Sequence, residues 1–107
     1  MSQHRQQYRI PIERTGQLTR HGEVSACRVL DVTEQGFQVT TDLPVAVGDV
    51  LDLTCPLDAN SDITCTVAVT HAQPPFFGSR IVDISAEHRQ RLSRFIQRLI
   101  TQNMMGL

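Results

Sequence analysis

Apolar residues change their spacing once along this chain. Between Leu92 and Ile100 they recur every third and fourth position, as Leu92, Phe95, Ile96, Leu99 and Ile100, which is the stripe of an amphipathic helix. Ser85 suits an N-cap and Glu87 falls in the positively polarised first turn, so the helix is predicted to begin at Ala86. Upstream the period shortens to two. Runs over Ile10 to Leu18, Val24 to Val32, Phe37 to Thr41 and Val50 to Cys55 follow the strand pattern, Ile63 to Ala72 is rich in the Thr and Val that strands favour, and Phe77 to Ile84 reads as a last strand, six in all. His21-Gly22-Glu23, Asp58 to Asp62 and Pro74-Pro75 punctuate them, and Leu43 to Asp49 reads as a longer loop.

The second run alternates imperfectly, with Val24, Ala26, Arg28 and Leu30 set against Ser25, Cys27, Val29 and Asp31. Apolar residues on both faces suit a strand in a small closed barrel, one side filling the interior and the other covered by a helix or an arm. The helical stripe is then expected to lie across the mouth or the side of that barrel. Met1 to Tyr8 is polar and without periodicity, which predicts an arm that is mobile until something binds it. The division expected is therefore an arm over residues 1–9, a folded domain over 10–102 and a tail over 103–107, where Met104 and Met105 extend the helix, pack or fray.

Composition narrows the function. A chain of 107 residues builds one core. Its formal net charge is −1 and aromatics make up 5%, so neither a broad electrostatic grip on nucleic acid nor a row of stacking platforms is expected. There is no apolar run of signal-peptide or membrane-spanning type, and the expected location is cytoplasmic. Cys27, Cys55 and Cys65 lack metal-site spacing and are expected as buried thiols. His4, His21 and His88 have no companions spaced for nucleophilic or metal chemistry, so the chain reads as a binding module without a cofactor, not an enzyme. Arg89, Arg91, Arg94 and Arg98 on the helix read as a solvated face, with a docking surface as the alternative.

The candidate chemistry lies in two short stretches. Arg5 and Arg9, separated by three residues, stand just before the first strand. Every basic residue in the chain is arginine, whose rigid fork matches a phosphate or the Hoogsteen edge of guanine. Asp31, Thr33 and Gly36 form a D-x-T-x-x-G turn between the second and third strands. Gly36 either takes a backbone conformation closed to other residues, admits a ligand close to the main chain, or is a plain hairpin glycine.

These two stretches, in this order, resemble the R-x-x-x-R arm and [D/N]-x-S-x-x-G turn of the PilZ domain, a bacterial receptor for cyclic di-GMP. Phe77 to Ser85 is similar to that family's last strand, so the likeness covers nearly the whole chain. The resemblance implies a six-stranded antiparallel split β-barrel with a C-terminal helix. It also implies a cyclic di-GMP site made by Arg5, Arg9, Asp31, Thr33 and Gly36, and relay to a separate effector protein acting on motility, exopolysaccharide production or virulence. Thr33 departs from the usual serine, retaining the hydroxyl while adding a methyl group. Tyr8, His71 and Arg80 are further candidates for ligand contact, and Gln6 stands where many relatives carry another arginine. The alternatives are a PilZ-like adaptor that works by protein contacts without ligand and, less favoured, a small nucleic-acid-binding barrel.

Overall fold

The computed structural model describes residues 9–105, with side chains up to Gln102. Six antiparallel strands, β1 (Ile10–Arg20), β2 (Glu23–Val32), β3 (Gly36–Thr40), β4 (Val50–Asp58), β5 (Ser61–Gln73) and β6 (Phe76–Ile84), are followed by one helix, α1 (Ala86–Met105). The strands close into a barrel in the order β1-β2-β3-β6-β5-β4. Closure depends on a short seam, Gln17 to Thr19 of β1 against Thr54 to Asp52 of β4. Fully closed sheets leave no exposed edge.

Local chemistry accounts for the connections. His21 and Gly22 both take positive φ, at 52° and 82°, which gives the two-residue β1–β2 turn the twist that antiparallel neighbours need. Pro74 and Pro75, joined by a cis peptide bond, turn β5 into β6. The segment between β3 and β4 must cross the barrel, because β3 pairs with β6 and β4 with β1. It is tied down on the way by Gly48 N–H donating to Val69 O and Val69 N–H to Asp49 O, both at 2.9 Å. Pro56, inside β4, lies beyond the β1 seam, where it breaks no pairing with that neighbour.

The inward-facing residues form a continuous apolar core that includes Leu18, Val29, Val39, Leu53, Ile63, Val67 and Phe77, all fully buried. Cys27, Cys55 and Cys65 belong to it, and burial pushes their thiols up to about 11, 12 and 11 respectively. Those thiols are poor nucleophiles at neutral pH.

Helix α1 closes one mouth of the barrel. Ser85 caps it, its Oγ accepting from His88 N–H at 3.1 Å, and Leu92, Phe95 and Ile96 insert into the core while Leu99 and Ile100 are half-buried against it. Arg14 of β1 lies over the Phe95 ring, 5.6 Å from its centre.

The helix arginines do more than face solvent. Arg91 donates to Asp62 O at 2.7 Å, Arg98 pairs with Asp58 at 2.9 Å, and Arg89 donates to Glu34 O. Strand ends at a barrel mouth present carbonyls and turn carboxylates, and long guanidinium side chains one helix radius away reach them. Arg94 alone of the four makes no such bond among the described residues.

Because Leu92 is fully buried in this seam, Leu92→Ala is expected to cost about 3 kcal/mol through lost burial and the cavity left behind. Chemical denaturation of the parent and the variant measures it.

Candidate functional site

The site is built where two strands carry one residue more than their neighbours. In β2, Val29 pairs with Val39 and Asp31 with Gln38, so Leu30 is an extra residue opposite β3. In β5, Val69 pairs with Ser79 and His71 with Gly78, leaving Thr70 extra opposite β6. A bulge advances the inside–outside alternation by one residue. After Cys27 and Val29 point inward, Val32 becomes the next buried position and Asp31 is turned outward; after Val69, both Thr70 and His71 are exposed. Between the bulges, the outer faces of β3 and β6 form the floor of a cleft.

The turn after β2 is held by Thr33. Its Oγ accepts from Gln35 N–H and Gly36 N–H, each at 3.0 Å, and the Thr33 N–H donates to Gly36 O at 2.9 Å. The hydroxyl proton points back to Gly36 O at 3.4 Å. Thr33 thus uses its hydroxyl to shape the bend, a task serine or threonine can perform. Gly36 is required for another reason. Its φ is not left-handed, but a Cβ there would run into the backbone carbonyl of Ser79. The absent side chain lets β6 approach the bend, and Ile81 N–H then donates to Gln35 O at 2.7 Å.

The cleft has a volume of about 240 Å³ and is lined by Arg9, Asp31, Thr33, Gly36, Gln38, Thr70, His71 and Arg80, among others. Arg9 Nε lies 3.9 Å from Asp31 Oδ2, with the arginine largely exposed and the aspartate mostly covered. Asp31 Oδ1 is buried and has no hydrogen-bond partner among the described residues. Burial raises the Asp31 pKa above the usual 3.8, and the Arg9 charge offsets only part of that. A buried carboxylate oxygen without a donor is unfavourable. It is also an acceptor poised for an N–H brought by a ligand.

Four of the five residues expected at the site, Arg9, Asp31, Thr33 and Gly36, line this single cleft, as do His71 and Arg80. Arg5 and Tyr8 lie outside the described residues. Gln38, Thr70, Gly78 and Ser79 also line it, though the sequence does not single them out. Their one sequence signal is the glycine at 78: a Cβ there would collide with the His71 ring, which rests on the bare backbone.

The bend is also fastened to the helix. Glu34, at its tip, accepts from Ser93 Oγ at 2.9 Å through its carboxylate and from Arg89 through its carbonyl. Glu34 lies in the bend between Thr33 and Gln35, both of which line the cleft, so the bend beside the cleft is bonded to the helix.

A family model described as the PilZ domain matches residues 3–98. Among solved structures, an inhibitor of motility from Bacillus subtilis (MotI/DgrA) superposes with a TM-score of 0.76 at 20% identity, covering 94% of this chain. The chain spans about half of that protein, 53% of its length. No curated protein matches it in sequence.

Two outcomes follow from the geometry. Gly36→Ala is expected to destabilise the fold by about 3 kcal/mol, because the clash is with backbone that can move only by parting β3 from β6; thermal or chemical unfolding reports it. For Asp31, a raised folded pKa means that the native state holds the proton more tightly than the unfolded chain does. Stability from this group is therefore greatest below 3.8 and falls as pH rises through the raised value. Asp31→Asn removes that loss, so the unliganded variant should gain stability relative to the parent between pH 4 and pH 7, as denaturation at the two ends of that range would reveal.

Proposed function

We propose that this chain, which belongs to the PilZ domain family, is a receptor for cyclic di-GMP that binds in the cleft between Arg9 and the bend from Asp31 to Gly36. The observation that carries this reading is the pairing of a solvent-facing guanidinium with a buried, unpartnered carboxylate oxygen in one cleft. Cyclic di-GMP offers the complement of both. Its two phosphates are anionic and each guanine edge carries O6 and N7 acceptors, all suited to arginine, while guanine N1–H and N2–H are donors for Asp31. Thr33 and Gly36 serve indirectly, the first by holding the bend and the second by admitting β6 beside it.

A volume of about 240 Å³ is smaller than the roughly 300–1,000 Å³ typical of sites that enclose a drug-sized ligand. The cleft suits part of a cyclic dinucleotide, and the remainder needs cover from elsewhere. Arg9 lines the cleft and directly follows the segment that carries Arg5, so in this reading that segment supplies the cover and its ordering over the ligand constitutes the response. The hydrogen bonds from Arg89 and Ser93 to Glu34 offer a second route, from bend to helix, by which an effector protein would sense occupancy. The chain is in this reading a binding module that acts through a partner.

Calorimetric titration with cyclic di-GMP tests the proposal. The parent should bind, and Arg9→Ala should weaken binding by about tenfold to more than a hundredfold, the loss of charge-assisted contacts worth about 1.5–3 kcal/mol. Equal affinity of parent and variant would show the site to be misassigned, and a parent that takes up no ligand would leave the ligand-free adaptor as the better reading.

A further inference from the structure

Among the described residues, the cleft holds one cation that neither sequence motif contains. Arg80, on β6, pairs in register with Gly36 of the bend, and its side chain lines the cleft alongside Arg9, Asp31 and His71. It is exposed and makes no hydrogen bond or ion pair among the described residues. Most other described arginines are engaged: Arg14 over Phe95, Arg20 with Asp49, Arg28 with Glu13, and three of the helix arginines with barrel or turn groups. Arg94 shares the unbonded state of Arg80 but lies on α1, beside Gln97 and Arg98 and away from the cleft.

The charge of the cleft depends on Arg80. Arg9 and Asp31 are a pair and offset one another. With His71 neutral, the described lining would have no net charge without Arg80 and has one positive charge with it. Its neighbours do not claim that charge, since the Ser79 hydroxyl donates to Phe37 O at 3.1 Å and His71 rests on Gly78. Across from it, Thr70 and His71 of β5, exposed by the bulge, line the same cleft.

We propose that Arg80 binds a phosphate of the ligand from the β6 wall, as a specificity-determining residue that gives the cleft its preference for a dianion. This rests on the reading of the cleft as a cyclic di-GMP site. A guanidinium with no protein partner keeps its donors for a phosphate oxygen, and a charge-assisted bond to it is stronger than one between neutral groups.

The test is calorimetric titration of cyclic di-GMP into the parent, Arg80→Ala, Arg80→Lys and Arg94→Ala at low and high salt. Arg80→Ala is expected to bind about tenfold more weakly or worse, with affinity less sensitive to salt than in the parent. Arg80→Lys keeps a point charge without the fork and should recover part of the loss. Arg94→Ala should match the parent. All three variants should unfold with the parent, because neither arginine is tied to the fold.

The inference is overturned if Arg80→Ala binds as tightly as the parent, if its loss is independent of salt, or if Arg94→Ala loses as much. A parent that binds while Arg80→Ala is unaffected removes this inference alone. A parent that does not bind removes the ligand assignment and this inference together.

Discussion

The single extra residue at Leu30 is the constraint on which the site depends. In a regular strand Asp31 would follow Cys27 and Val29 into an apolar interior, where an ionised carboxylate without a partner is strongly unfavourable. Because Leu30 has no counterpart on β3, the alternation shifts, Val32 fills the core and Asp31 emerges beside Arg9. The Thr70 bulge does the corresponding work on the far flank, exposing two successive residues of β5. The barrel supplies rigidity, and its irregularities supply the cleft.

Asp31 shows how a group facing the cleft is held at some expense to the fold. One oxygen faces Arg9 at a distance where exposed ion pairs contribute little, and the other is buried without a donor among the described residues. A group held this way works against local stability rather than for it. Gly36 is the opposite case. It binds nothing, yet without it β6 could not come close enough to brace the bend.

The helix is more than a lid on the core. Its apolar stripe seals the mouth, and its arginines and serine bond to the turns around the rim, so a change in the bend at Glu34 has a direct mechanical path to α1. Arg89 and Ser93 both converge on that one residue.

What the amino-acid sequence alone determined was local. Alternation marked the first four strands, Thr and Val content the fifth, the three- and four-residue stripe the helix, Ser85 its start, and the two short motifs four of the residues that meet in the cleft, while the sixth strand was legible through its likeness to a family's last strand. What only the tertiary structure decided was relational. A bulge exists with respect to a neighbouring strand, so the displaced Leu30 showed in the sequence merely as imperfect alternation of the second run, and Thr70 showed not at all. Gly36 could from its sequence take a special conformation, admit a ligand close to the main chain or be a plain hairpin glycine, whereas in the fold its place is required by a β6 carbonyl from much later in the chain. The helix arginines looked solvated because their partners, the Asp58–Asp62 hairpin and Glu34, come near only when the barrel closes. Period and propensity act over a few residues, whereas the placement of a charge depends on which distant backbone folds up against it.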